Sequence, residues 1–178
     1  MNFLTLSKQQ IKSTQYNQIK EKHIVISISG SGDEETIIPP NPHRLSQLFL
    51  KFDDIEDIMD NYIFFDRSMA QEILDFVEKY CNQISLVIVQ CQAGLSRSVA
   101  VASALSKIIN FSDDYIFTRG IPNMFVYTTI LDHFFSNPYW QKEYSKMCNK
   151  RNQAMLQTLS PAAVKLDAVK YKKRIKEL

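Results

Sequence analysis

The residues of this 178-residue chain best suited to chemistry are a cysteine and an arginine six positions apart, in the stretch QCQAGLSRS. The thiol of Cys91 is a nucleophile once ionised, and the planar guanidinium of Arg97 can hold two phosphate oxygens at once. The hydroxyl of Ser98 can hydrogen-bond the sulfur and help it depart later in a reaction. The alternative interpretation is structural, because a cysteine at the end of a strand is most often a small buried apolar side chain.

The elements on either side of this stretch decide between the two interpretations. The continuous apolar run ISLVIV (84–89) predicts a central strand, and SVAVASALSKII after Arg97 predicts a buried helix. The residues between them are mostly small: Gln92, Ala93, Gly94, Leu95 and Ser96. Their N–H groups can converge with those of the helix beginning at Arg97 to form an anion nest. A thiol held in such a nest, Cys91, is expected to be largely thiolate at neutral pH.

These parts predict one reaction, phosphate transfer to sulfur. The Cys91 thiolate would attack phosphorus to give a cysteinyl-phosphate, while Arg97 and the loop amides hold the transferring charge. A carboxylic acid must protonate the leaving oxygen and then act as base towards water. The scheme calls for no metal and no cofactor.

The stretch C-Q-A-G-L-S-R-S resembles the C-x5-R-S signature of cysteine-dependent protein tyrosine phosphatases, and its A-G-x-S-R-S part resembles the dual-specificity type. By the order of its motifs, the resemblance covers roughly residues 22–135. It implies an α/β fold with a central, mostly parallel sheet flanked by helices. It also implies phosphatase activity on phosphotyrosine in proteins, with phosphoserine and phosphothreonine left open.

The resemblance also implies a general acid and a supporting asparagine. The segment LFLKFDD is similar to the strand that leads to the general-acid loop, which makes Asp54 the candidate acid and Asp53 the alternative. A long gap separates this segment from Cys91, so other carboxylates remain candidates if the chain folds back. They are Asp57, Asp60 and Asp66. RGIPNMF (119–125) is similar to the segment whose Pro-Asn supports the catalytic loop, which makes Asn123 a candidate supporting residue.

One position departs from the family pattern. Gln90 stands where the family usually carries a histidine that orients the loop and tunes the thiolate. A catalytically weak pseudophosphatase that binds phosphoprotein therefore stays open. The basic C-terminal residues leave open a second alternative, a phosphatase for a non-protein phosphate such as a phosphoinositide or an RNA 5′-triphosphate.

The remaining patterns predict one domain over residues 1–178. Further strands are expected at 22–30 and 45–52. A helix is expected with Ser68 as N-cap and Gln71 as its capping-box partner, followed by a short helix capped by Ser112. Pro122 is expected in the first turn of the next helix, and NPYWQKEYSKMCNKRNQAML predicts a last one.

Composition sets the broad class of protein. The three cysteines are odd in number and show no C-x-x-C pair, and no secretory signal or membrane-length apolar run is present, so we expect a cytoplasmic protein. Residues 141–178 carry ten Lys or Arg against three Asp or Glu, a net charge of +7, which leaves −5 on the rest of the chain. This extension is predicted to be helical. It suits an acidic partner or an anionic surface, and nothing in it makes a clear nucleic-acid signal.

Overall fold

The computed structural model describes residues 1–57 and 59–139. Its sheet has four parallel strands in the order β1-β4-β2-β3. The strands are β1 (Asn2–Ser7), β2 (His23–Ser29), β3 (Arg44–Lys51) and β4 (Leu86–Cys91). The predicted α/β fold with a central parallel sheet is confirmed. The part of the predicted last helix beyond residue 139 and the basic extension of residues 141–178 lie outside the described residues.

The two central strands carry the core. Every residue of β2 and β4 is buried, as expected for strands rich in Ile and Val that are covered on both faces. Side chains alternate between the faces: Ile24 and Ile26 of β2 join the larger hydrophobic cluster, whereas Val25 joins the smaller one. The sheet therefore presents an apolar surface to helices on either side.

Within the described ranges, six helices cover the sheet. They are α1 (Lys8–Ile11), α2 (Thr14–Asn17), α3 (Arg67–Tyr80), α4 (Arg97–Asn110), α5 (Asp114–Phe117) and α6 (Met124–Ser136). α3, α4 and α6 contribute to the larger cluster, and α1 and α2 contribute Ile11 and Tyr16 to the smaller one. Since α4 is buried over almost its whole length, its first residues are fixed against β4.

The helix starts differ from the predicted ones. Asp66, not Ser68, is the N-cap of α3, because its carboxylate accepts the N–H of Met69 at 2.9 Å. Asp113, not Ser112, precedes α5. Pro122 lies before the N-cap of α6, not in its first turn, since Asn123 takes the N-cap position. For α3 and α6 the reason is a side-chain cap, a carboxylate at 66 and an amide at 123, whereas Asp113 makes no side-chain hydrogen bond to the N-terminus of α5.

β1 is an element that the sequence patterns do not predict. It pairs with β4 along its whole length, so that Ser7 lies beside Cys91. Within residues 1–57 and 59–139, no helix is both long and apolar enough to cross a membrane.

Candidate active site

Cys91 is the last residue of β4, at the carboxyl edge of the parallel sheet. Ligands bind at this edge in open α/β folds, because the strands end there and the following loops surround a crevice. The residue is only 2% exposed. The sulfur therefore lies at the bottom of the turn formed by residues 92–96, called here the Cys91 loop.

The Cys91 loop folds back over the sulfur. The N–H of Gly94 donates to Sγ of Cys91 at 3.3 Å, and Gly94 has a φ of +74°, which favours glycine. A Cβ at this position would lie 2.6 Å from the backbone nitrogen of Ser7. The end of β1 thus supports the loop from outside, and only glycine fits between them.

Ser98 lies on the inner side of the same sulfur. Its hydroxyl oxygen is 3.2 Å from Sγ of Cys91, and the residue is fully buried in the first turn of α4. A hydroxyl at this distance can donate a hydrogen bond to a thiolate and stabilise its charge. With the Gly94 N–H, the sulfur therefore has two possible donors.

Arg97 is the first residue of α4 and is 7% exposed. Its Nη1 donates to the carbonyl oxygen of Phe52 at 2.7 Å, which fixes the guanidinium across the end of β3. Its Nε is buried and has no hydrogen-bond partner among the described residues, and it lies 4.0 Å from Oδ2 of Asp54. A buried, unpaired N–H beside the Cys91 loop is a donor for a bound oxyanion.

The structure places Asp54 beside the Cys91 loop. Its Oδ1 accepts a hydrogen bond from the hydroxyl of Ser96 at 2.7 Å and another from Nδ2 of Asn123 at 3.0 Å. The carboxylate keeps 39% of its side-chain surface exposed. Asp54, Arg97 and the Cys91 loop are therefore brought together even though 37 positions separate Asp54 from Cys91.

Asp53 is differently engaged. Its carboxylate accepts the backbone N–H groups of Ser31 at 2.9 Å and Ile63 at 2.8 Å. Burial opposes its ionisation, but these two hydrogen bonds outweigh burial and hold the pKa of Asp53 below its usual value. A carboxyl group with a lowered pKa is a poor proton donor. The contacts of Asp53 instead hold the backbone at Ser31 and Ile63 in place.

The other candidate carboxylates lie elsewhere. Asp66 caps α3, and its hydrogen bonds from Ser68 and from the Met69 N–H hold its pKa below the usual value. Asp57 and Asp60 are exposed in the segment between β3 and α3. None of the three is hydrogen-bonded to the Cys91 loop within the described part of the chain.

Gln90 is buried between β1 and β2. Its Oε1 accepts the hydroxyl of Ser27 at 2.7 Å, and its Nε2 has no hydrogen-bond partner among residues 1–57 and 59–139. Successive side chains of a strand point to opposite faces, so Gln90 and Cys91 point apart. Any influence of Gln90 on the sulfur therefore passes through the backbone of β4.

The segment before α6 contacts both the Cys91 loop and the segment that carries Asp54. The N–H of Ile121 donates to the carbonyl of Leu95 at 2.9 Å, and a Cβ on Gly120 would lie 2.2 Å from that oxygen. The side-chain amide of Asn123 instead donates to Oδ1 of Asp54 at 3.0 Å and to the carbonyl oxygen of Ile55 at 3.1 Å. The expected support of the Cys91 loop thus comes from backbone at 120 and 121, whereas the Asn123 amide holds the Asp54 segment.

Sequence reasoning missed two contributors. Ser7 and Gln10 form a capping box that begins α1 at the end of β1, and the Ser-x-x-Gln spacing could have marked this junction. Glu56 was also missed: its Oε1 accepts the N–H of Met124 at 2.6 Å and ties the Asp54 segment to α6. No local pattern reports that contact, because 68 positions separate the two residues.

Comparison with solved structures agrees with this geometry. Human DUSP28 superposes with a TM-score of 0.51 at 14% identity, covering 74% of this chain and 90% of that chain. A variant of human DUSP28 with one tyrosine replaced by histidine gives a TM-score of 0.53 at 13% identity, covering 74% and 88%. A mouse protein provisionally classed as a dual-specificity phosphatase, complexed with zinc tungstate, gives 0.51 at 11% identity, covering 81% and 86%.

These likenesses show the fold. It is the α/β fold of cysteine-dependent protein tyrosine phosphatases in its dual-specificity form. No protein-family model matches the sequence, and no curated protein is significantly similar to it. Because one fold hosts many activities, the activity has to be argued from the site itself.

Proposed function

We propose that this chain is a cysteine-dependent phosphatase that hydrolyses phosphotyrosine in proteins. The observation that carries the proposal is the convergence of Cys91, Arg97, Ser98 and Asp54 on one loop. A nucleophile, a phosphate-holding cation, a donor to the sulfur and a carboxylic acid are the groups that this reaction needs.

The first half of the reaction forms a phosphoenzyme. The Cys91 thiolate attacks phosphorus, the S–P bond forms and the bond from phosphorus to the leaving oxygen breaks. Asp54 gives its proton to that oxygen, so the tyrosine leaves as a neutral phenol. Arg97 and the N–H groups of the Cys91 loop hold the charge on the three equatorial oxygens.

The second half restores the enzyme. Asp54, now ionised, takes a proton from water, whose oxygen attacks the phosphorus of the cysteinyl-phosphate. The S–P bond breaks, phosphate leaves, and Ser98 stabilises the departing thiolate through its hydroxyl. Each proton given in the first half is thus recovered in the second.

Turnover of para-nitrophenyl phosphate tests the proposal. Cys91→Ser is expected to abolish turnover, and Asp54→Asn to lower kcat about 10²-fold, because it removes the acid. Asp57→Asn is the matched control, since Asp57 is exposed and has no hydrogen bond to the Cys91 loop within the described part of the chain. Turnover that survives Cys91→Ser would rule out the cysteinyl-phosphate.

A second function is favoured by one specific observation. Gln90 stands where the resembling family usually carries a histidine that orients the loop and tunes the thiolate, and its Nε2 has no hydrogen-bond partner among the described residues. This replacement favours binding of phosphoprotein over turnover. Tungstate or phosphopeptide binding without turnover at any pH between about 5 and 8 would support this alternative over the enzyme.

A further inference from the structure

A polar recess opens directly beside the Cys91 loop. It has a volume of about 500 Å³ and is lined by Ser7, Lys8, Gln9, Lys12, Gln92 and Ala93. The N–H of Lys8 donates to the carbonyl of Gln92 at 3.2 Å, so the recess and the loop share backbone contacts. We call it the Lys8 recess.

The charge of the Lys8 recess has one sign. Lys8 and Lys12 are four positions apart across the α1 turn and lie on the same side of it. No Asp or Glu among the residues that the structure describes lines the recess. Within residues 1–57 and 59–139 neither lysine forms an ion pair. The capping box of Ser7 and Gln10 fixes the turn that carries both lysines.

The surrounding surface continues this asymmetry. The neighbouring groove of about 620 Å³ shares Ser7, Gln9 and Ala93 with the Lys8 recess and adds Arg119, and no carboxylate of the described residues lines it. The opposite side of the Cys91 loop carries Asp54, bonded to Ser96. Cations thus lie on the β1 side of the loop and the candidate acid on the other.

We propose that the Lys8 recess binds an anionic side chain that flanks the phosphorylated residue of a peptide substrate. This rests on the proposed function, because the scissile phosphate would occupy the Cys91 loop. Its leaving oxygen would then face Asp54, and the peptide would cross Gln92 and Ala93 towards Lys8 and Lys12. An anion there gains two ammonium partners, and a doubly charged phosphate gains more than a carboxylate.

Three phosphotyrosine peptides that differ only in the flanking residues test the proposal. One carries glutamine, one glutamate and one phosphoserine, which separates the acidic side chain from the phosphate as the source of the anion. The measured quantity is kcat/KM for each anionic peptide divided by kcat/KM for the glutamine peptide. Wild type is expected to give ratios above one, with phosphoserine the higher.

The double variant Lys8→Gln/Lys12→Gln is expected to lower both ratios roughly 3- to 10-fold, the effect of two partly exposed ion pairs. Lys20→Gln/Lys22→Gln, which removes two exposed lysines outside the recess, is the matched control and should keep the wild-type ratios. Added salt should reduce the wild-type ratios and leave those of the double variant nearly unchanged.

Ratios that stay at the wild-type value in the double variant would overturn the proposal, even if all three rates fall together. The dissociation constants of the three peptides are also measured with Cys91→Ser, which cannot turn the peptides over. The affinity for each anionic peptide is then divided by the affinity for the glutamine peptide. Cys91→Ser could bind the anionic peptides more tightly while the wild type turns none of the peptides over. This result would support the Lys8 recess and contradict the proposed enzyme. Equal affinity for all three peptides would contradict the recess alone.

Discussion

The hydroxyl of Ser96 donates a 2.7 Å hydrogen bond to Oδ1 of Asp54, which joins the loop of the nucleophile to the candidate acid. Nδ2 of Asn123 donates to the same oxygen at 3.0 Å. Both contacts position the carboxylate beside the Cys91 loop. A general acid must lie within reach of the leaving oxygen, so the contacts that orient Asp54 are expected to matter for catalysis.

Ser96→Ala tests this role. The maximum kcat should fall about 10-fold, because the carboxylate is less well placed. The measurement is kcat with a nitrophenyl and an unsubstituted phenyl ester, and the poorer leaving group should show the larger loss.

Asn123→Ala is the matched variant, since it removes the other donor to the same oxygen. It also removes the N-cap of α6, so its melting temperature is expected to fall while that of Ser96→Ala stays close to wild type. Equal losses of kcat with the two esters in both variants would show that Asp54 is not the acid.

Two glycines are expected to be intolerant of a methyl group. Gly94 has a φ of +74°, and its Cβ would lie 2.6 Å from the nitrogen of Ser7. A Cβ on Gly120 would lie 2.2 Å from the carbonyl oxygen of Leu95. Either alanine variant must displace the Cys91 loop, so we expect weaker tungstate binding and about 10²-fold lower kcat/KM.

Gly32→Ala is the control for these glycine variants, because a Cβ there meets nothing within 4 Å. It is expected to keep wild-type tungstate affinity. Melting curves accompany the measurement, so that loss of fold is distinguished from a shifted loop. Wild-type tungstate affinity in folded Gly94→Ala would show that the loop does not depend on contact with β1.

The sequence was most informative where the chemistry is local. The run that becomes β4, the small residues after Cys91 and the apolar helix beginning at Arg97 are contiguous, so their order alone predicted a strand, a loop and a helix. The fold followed from the same segment and the family it resembles.

The parts that could not be predicted depend on distant contacts. β1 alternates apolar and polar residues at the sheet edge, which gives a weaker pattern than the buried runs of β2 and β4. The choice between Asp53 and Asp54 rests on the N–H groups of Ser31 and Ile63, 22 and 10 positions away from Asp53. Two adjacent carboxylates at the end of one strand cannot be told apart from the sequence until their hydrogen-bond partners are known.

Gln90→His is expected to raise activity. The Gln90 Nε2 has no hydrogen-bond partner among the described residues, whereas Oε1 accepts the Ser27 hydroxyl. An imidazole at 90 can keep the Ser27 contact through one nitrogen and hold the β4 backbone with the other. We expect kcat to rise several-fold and iodoacetate to alkylate Cys91 faster, because the backbone that carries the thiol is held more firmly.

Gln90→Asn is the control for the histidine variant, because it keeps an amide but shortens the reach to Ser27. It should neither raise kcat nor change the rate at which iodoacetate alkylates Cys91. Unchanged alkylation in Gln90→His would show that residue 90 does not tune the sulfur through the backbone of β4.

His23, at the start of β2, should make the fold acid-sensitive. The residue is fully buried; its Nδ1 lies 2.8 Å from the carbonyl oxygen of Glu21, and its Nε2 lies 3.2 Å from the hydroxyl of Tyr16. A carbonyl only accepts, so Nδ1 carries the hydrogen and Nε2 accepts from Tyr16. Burial, the main cause, and the nearby Arg44 hold the pKa of His23 below 6.5.

The sign of the effect follows from that direction. Above about pH 6.5 both the folded and the unfolded chain hold His23 neutral, so its contribution to stability is complete. As the pH falls below that value, the unfolded chain binds a proton first, and the free energy of unfolding decreases until the folded pKa is passed. Urea unfolding should therefore show a less stable protein near pH 5.5 than near pH 7.5. In His23→Gln, which cannot titrate, this difference should shrink, and a difference equal to that of wild type would assign the acid sensitivity to another group.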